Sequence, residues 1–153
     1  MQPNLSFIFV PSLLFFNTIG LPYMKILLIE DDLDDIELLQ DGLKSHGSPY
    51  EMDIANDGGL AVEYVKTCSD YPDVIVLDLN LPKIHGREVI LEIKSSPSYK
   101  DIPLIILTTS SAKEDMEYAY KHGADKYLLK PTSSEELNEI VVSILNLGKH
   151  KPL

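Results

Sequence analysis

The chain has 153 residues, 44% of them hydrophobic, and a formal net charge of −11. That length suits one domain with its own core, and the acidic balance excludes nucleic acid and an anionic membrane surface as direct partners, since both need a basic face. A single cysteine, Cys68, permits no intrachain disulfide and fits a reducing, cytoplasmic compartment.

Residues 1–23 differ in character from the rest of the chain. Phe7 to Leu21 is apolar and uncharged, but Pro11 and Asn17-Thr18 interrupt it. It is short for a membrane span and lacks the basic start and small-residue cleavage site of a signal peptide. The segment is expected to be a leader or mis-assigned start outside the core fold, with Met24 as the functional start. The alternative is a native segment packed on the domain or on a partner.

From Met24 on, strand-like and helix-like segments alternate five times. Lys25–Glu30 is an apolar run. Leu33–Ser45 repeats Ile36, Leu39 and Leu43 at helical spacing, and Gly47-Ser48-Pro49 breaks it. Glu51–Ala55 alternates like a less buried strand. Asp57–Cys68 is a second helix, Asp73–Asp78 the central strand, His85–Ser95 a third helix and Pro103–Thr108 a fourth strand. Ser111-Ala112-Lys113-Glu114 reads as a capping box opening a fourth helix that Gly123 ends. Lys126–Leu129 is the fifth strand. Ser133-Ser134-Glu135-Glu136 is a second capping box, and Leu137, Ile140, Val141, Ile144 and Leu145 form the stripe of a last helix ended by Gly148.

Alternating strands and helices imply parallel strands with helices on both faces. The expected class is α/β: a flavodoxin-like, doubly wound five-stranded parallel sheet of order 2-1-3-4-5, occupying 24–147, with a short tail over 148–153. The topological switch then lies between the first and third predicted strands.

The strand ends carry the chemistry. Neighbouring strands lie roughly 4.8 Å apart, so Glu30, Asp31 and Asp78 converge at the switch point. Three carboxylates so close repel one another, and a hard divalent ion such as Mg²⁺ relieves this with a few carboxylate oxygens plus water. The carbonyl of Asn80, just past the strand, offers one more oxygen. Thr108 ends the fourth strand, and Lys130 ends the fifth with a side chain long enough to reach Asp78. A carboxylate beside Mg²⁺, an ammonium and a hydroxyl can accept a phosphoryl group, giving an aspartyl phosphate.

These segments resemble a response-regulator receiver domain over residues 24–147. The matching motifs are Leu28-Ile29-Glu30-Asp31-Asp32, Leu77-Asp78-Leu79-Asn80-Leu81-Pro82 followed by Gly86, Leu107-Thr108-Thr109, and Tyr127-Leu128-Leu129-Lys130-Pro131. The resemblance implies that Asp78 is the phosphoacceptor, Asp31 a direct metal ligand, Glu30 a ligand acting mainly through water, and Asn80 a carbonyl donor. It implies that Thr108 and Lys130 hold phosphoryl oxygens, that Tyr127 reports the state of Thr108, and that Asn80 and Ser110 tune phosphate lifetime. It also implies a cis peptide at Lys130-Pro131. Leu107-Thr108-Thr109-Ser110 and Leu79-Asn80-Leu81-Pro82-Lys83 resemble single-domain regulators paired with bacterial phytochromes; Thr132 departs from the Phe that many receivers place after Lys-Pro.

The resemblance implies a phospho-switch rather than an enzyme with a free substrate: a stand-alone regulator fed by a histidine kinase or histidine phosphotransfer protein. With no output domain expected after the last helix, the signal leaves through a downstream protein or a homodimer on the face of the fourth helix, fifth strand and fifth helix. A flavin carrier of the same fold needs Ser, Thr, Gly and backbone donors in its first loop, and this loop is Glu-Asp-Asp-Leu-Asp-Asp. A phosphohydrolase places its nucleophile after the first strand. Asp32 reads as a helix start, Cys68 as an apolar filler, and His46, His85, His122 and His150 as surface residues.

Overall fold

Strands β2 (Met24–Ile29), β4 (Val74–Leu77) and β5 (Leu104–Thr108) are apolar at nearly every position, because both faces of each are covered. The computed structural model describes residues 8–11 and 23–149. Leu27, Ile29, Ile75, Leu77, Leu104 and Ile106 point to one side of the sheet and pack with helices α2 (Gly58–Thr67), α3 (Gly86–Ser95) and α4 (Lys113–Lys121). Ile26, Leu28, Val74, Val76, Ile105 and Leu107 point to the other side, against α1 (Leu33–His46) and α5 (Ser134–Lys149). The side-chain period of two thus divides one apolar run between two cores.

With β3 (Tyr50–Ala55) and β6 (Lys126–Leu129), the five parallel strands lie in the order β3-β2-β4-β5-β6. Counted from Met24 this is the expected 2-1-3-4-5. One strand departs from the expectation. β1 (Ile8–Pro11) pairs antiparallel with the outer edge of β3, Ile8 opposite Ile54 and Pro11 opposite Glu51. Residues 1–23 therefore do not stand wholly apart from the sheet. An uncovered β3 edge would present unpaired N–H and C=O groups, and β1 occupies them. The remainder of that segment, and the tail from residue 150 including His150, fall outside the described residues.

Helix ends follow local chemistry. Asp32 caps α1, its carboxylate accepting from the N–H groups of Asp34 and Asp35, and Gly47 ends the helix at φ 81°. Ser133 Oγ accepts from Glu136 N–H, while the Glu136 carboxylate reaches back to Thr132 N–H. The expected box at Ser111 does not form. Ala112 holds the N-cap position of α4 without a side-chain bond, and α4 begins one residue later than a Ser111 cap requires. Gly148 lies inside α5, pressed on Met24 of β2, rather than ending it. Cys68 is the half-buried C-cap of α2.

Candidate functional site

Backbone hydrogen bonds carry the sheet pattern one residue past the strand ends. Glu30 N–H donates to Ala55 O, Asp78 N–H to Ile29 O, and Lys130 N–H to Thr108 O, at 3.1, 3.0 and 2.9 Å. Glu30, Asp78 and Lys130 are therefore set by the sheet and not by loop conformation. Asp78 and Glu30 are buried and Asp31 is exposed.

One carboxylate oxygen from each of Glu30, Asp31 and Asp78 lies within 4.8 Å of the other two. Burial pushes the Glu30 carboxyl up to about 7, with the nearby Asp78 charge adding to it and the Lys130 hydrogen bond opposing it. Hard oxygen donors with a surplus of negative charge, one of them open to water, fit a small divalent cation that keeps several waters. The backbone N–H of exposed Asn80 turns back to Asp78 Oδ1 at 3.2 Å.

Lys130 reaches across from β6. Its Nζ lies 2.9 Å from Asp78 Oδ2, 2.7 Å from Glu30 Oε1 and 2.7 Å from Asp35 Oδ2. Burial works against the ammonium, but the hydrogen bonds it donates to Asp35, Glu30 and Asp78 outweigh this and hold Lys130 above the ordinary lysine range. Sequence reasoning misses Asp35. In the sequence it is one of five acidic residues around Leu33, and it shares the first turn of α1 with Asp34, so nothing in the sequence sets the two apart. The Lys130–Pro131 peptide is trans, since no cis bond occurs among the described residues. The expected cis bond is absent, in line with the trans preference of about 0.5–1 kcal/mol for X–Pro.

Thr108 is fully buried, and its Oγ1 accepts from Ser110 N–H at 3.3 Å. Ser110 then branches. Its hydroxyl donates to Asp115 Oδ2 at 2.6 Å, and its carbonyl accepts from the hydroxyl of buried Tyr127 at 2.8 Å. Asp115 also accepts two bonds from Arg87 of α3, at 3.0 and 2.6 Å. The guanidinium lies 4.9 Å from the ring centre of Tyr118. Hydrogen bonds to Ser110 and Arg87 hold the Asp115 carboxyl below its usual range. Thr108, Ser110 and Tyr127 are thus brought together, and Asp115 and Arg87 join them by contacts that no spacing rule reveals.

The loop after Asp78 is fixed by close packing. A Cβ on Gly86 would fall 2.4 Å from Leu79 Cα, and one on Gly58 would fall 2.0 Å from Ile84 O. Lys83 takes a left-handed φ of 68°, with its ammonium 3.1 Å from Asp57. His85 caps α3 through Nδ1, which accepts from Arg87 N–H.

Residues 26–142 match the family described as response regulator receiver domain. The chain belongs to the response-regulator receiver family. Among curated proteins, this receiver is 38% identical over 128 residues to Response regulator Rcp1 of Synechocystis sp., covering 80% of this chain and 87% of that one. It is 34% identical over 123 residues to the probable methanogenesis regulatory protein FilR2 of Methanothrix harundinacea, covering 78% and 79%. Among solved structures it resembles the phosphorylated cyanobacterial phytochrome response regulator RcpA, with TM-score 0.77, 36% identity, and coverage of 86% of this chain and 98% of that one. The Mn²⁺-bound form of Rcp1 gives TM-score 0.73 at 36% identity, covering 85% and 98%. The expected likeness to regulators paired with phytochromes is thus found in the RcpA structure. No helix among the described residues is long and apolar enough to cross a membrane.

Proposed function

We propose that this receiver is a stand-alone, cytoplasmic phospho-switch that takes a phosphoryl group on Asp78 from a phosphohistidine of a histidine kinase or phosphotransfer protein. The observation that carries the reading is the Lys130 ammonium 2.9 Å from Asp78 Oδ2, beside the three-carboxylate cluster. Glu30, Asp31, Asp78 and the Asn80 carbonyl would hold Mg²⁺. The metal, when bound, supplies positive charge to the phosphoryl oxygens and cancels the repulsion among the carboxylates.

An Asp78 oxygen attacks phosphorus. The P–N bond to the donor imidazole breaks as the P–O bond forms, and the released imidazole recovers a proton from water. Lys130 neutralises one equatorial oxygen, and the Thr108 hydroxyl, drawn from Ser110 N–H, donates to another. Asn80 and Ser110 are small and polar, so water reaches the acyl phosphate and its lifetime is minutes rather than many hours. The likeness to the phytochrome response regulator RcpA supports a phytochrome-type kinase as the donor.

Output follows the Thr108–Ser110–Tyr127 chain to α4, β6 and α5, where a downstream protein or a second copy docks. Met116, Tyr120 and Leu129 are exposed there. Incubation with Mg²⁺ and acetyl phosphate is expected to add one base-labile phosphoryl group by intact mass. An equal yield in Asp78→Asn overturns the assignment.

A further inference from the structure

The three donors of the Lys130 ammonium go to three carboxylates, Glu30, Asp78 and Asp35, which exhausts them. Two of these carboxylates belong to the metal-holding cluster, and Asp35 does not. When a cation draws on Glu30 and Asp78, or a phosphoryl group covers Asp78, the partners that Lys130 has within the cluster are engaged elsewhere. Asp35 lies outside the cluster, so neither cation nor phosphoryl group makes a claim on its carboxylate. It sits on a rigid element: Asp32 Oδ1 accepts from Asp35 N–H at 3.1 Å, fixing the first turn of α1. The side chain of Asp35 is about one-third exposed while that of Lys130 is 13% exposed, so Asp35 stands at the rim and the ammonium beneath it. Asp34 in the same turn already offers a carboxylate to the helix dipole, and Asp35 is directed to Lys130 instead.

We propose that Asp35 is a positioning residue for phosphoryl transfer: a fixed anchor on α1 that holds the Lys130 ammonium over Asp78 as cation and phosphoryl group come and go. The proposal rests on the reading of Asp78 as acceptor. A long lysine side chain without an anchor spreads over several rotamers, and only part of that population meets the incoming phosphoryl oxygen. Asn at position 35 retains an acceptor oxygen for Lys130, and Ala retains none.

The test is the initial rate of phosphorylation by acetyl phosphate with Mg²⁺, followed by intact mass, for Asp35→Ala, Asp35→Asn, Lys130→Ala and Asp35→Ala/Lys130→Ala. Loss of one hydrogen bond to a charged group corresponds to a drop of about tenfold or more in Asp35→Ala. Asp35→Asn should recover most of the rate. In the Lys130→Ala background, Asp35→Ala should change nothing, the mark of a residue acting only through Lys130. A wild-type rate in Asp35→Ala overturns the proposal, as does an Asp35→Ala effect of undiminished size without Lys130. Failure of wild type to gain phosphate, or equal gain in Asp78→Asn, defeats the acceptor reading instead, so the two failures are distinct.

Discussion

The hydroxyl of Tyr127 donates to the backbone carbonyl of Ser110 over 2.8 Å, and Tyr127 itself is buried. The bond ties the loop at Ser110 to β6. Tyr127 N–H is bonded in turn to the hydroxyl of Tyr120, whose half-exposed ring covers the free edge of β6. Replacing Tyr127 with Phe keeps the ring and removes the bond. The expected cost is about 1 kcal/mol of stability by chemical denaturation, with the m-value unchanged. Hydrogen exchange should quicken at Ser110–Ala112 and stay as it was at α1. An unaltered loop would mean that this bond does not hold it.

Asp115 connects Ser110 to Arg87, and this bridge bears on phosphate lifetime. Ser110 is two residues beyond Thr108, and its hydroxyl is committed to Asp115 at 2.6 Å. Asp115→Ala releases that hydroxyl toward the phosphoryl pocket and leaves Arg87 without its carboxylate. The decay rate of the acyl phosphate should change several-fold, while Mg²⁺ affinity, governed by the proposed ligands Glu30, Asp31, Asp78 and the Asn80 carbonyl, stays the same. Because the Asp115 carboxyl is held below its usual range, the bridge contributes fully above the ordinary Asp pKa and is lost as the pH falls through its lower folded value. The Arg87 end is partly exposed, so salt should weaken the bridge. Decay at the wild-type rate in Asp115→Ala would remove Ser110 from the water path.

Asp78, Glu30, Asp31, Thr108 and Lys130 are legible in the sequence because each terminates an apolar run, and parallel strands bring such ends to one edge. The two cores are legible for the same reason: runs such as Val74–Leu77 are apolar at both parities. Asp35 is not, because its role depends on a lysine 95 residues away. Nor are Arg87 and Asp115, which meet across α3 and α4. Ser111 illustrates a motif defeated by context. The chain enters α4 one residue late, and Ala112, with no side-chain acceptor, takes the N-cap position. Tyr118 faces Arg87, whose guanidinium lies over its ring and whose carbonyl accepts from its hydroxyl.

Glu30 couples metal binding to pH. Its folded carboxyl is raised to about 7 by burial, above the ordinary 4.5, so the folded protein binds that proton more tightly. The stability from this group is present below the ordinary value and is lost as pH rises to about 7. Metal-free protein should therefore weaken over that window, and Glu30→Gln should be more stable than wild type at pH 8 by about 1 kcal/mol or more, with no gain at pH 4. A cation binds the ionised carboxylates, so Mg²⁺ should bind more tightly as pH rises to about 7 and level off above it. Saturating Mg²⁺ at 100 times its Kd should stabilise the wild type by about 2.7 kcal/mol. Thermal melts with and without EDTA across pH 4–8 measure both. A Glu30→Gln gain independent of pH would count against this account.

Gly86 tests how the acceptor loop is held. A methyl group there would fall 2.4 Å from Leu79 Cα and 2.8 Å from Leu79 O, both backbone atoms that cannot step aside cheaply. Gly86→Ala should cost about 1–3 kcal/mol and displace the loop from Leu79 to His85. The phosphorylation rate should fall more than Mg²⁺ affinity does, since Asn80 N–H then loses its bond to Asp78 Oδ1. A variant as stable as wild type would show that the loop has slack that the packing does not suggest.

Phosphoryl oxygens near Thr108 compete with Ser110 N–H for its hydroxyl, and Ser110 is tied to both Tyr127 and Asp115. Any shift of Ser110 is therefore felt at β6 and α4 together. Leu129, Tyr120 and Met116 are exposed on that side, a face of apolar groups that a partner or a second copy can cover. With beryllofluoride and Mg²⁺ in place, hydrogen exchange should change at Ser110–Ala112, through α4 and along β6, with α2 unaffected. Sedimentation should show a larger species if the occupant is a second copy, and Leu129→Asp should abolish that species without changing the yield of phosphoryl-Asp78. Exchange changes confined to α1 and α2, with none around Tyr127, would send the signal through another face.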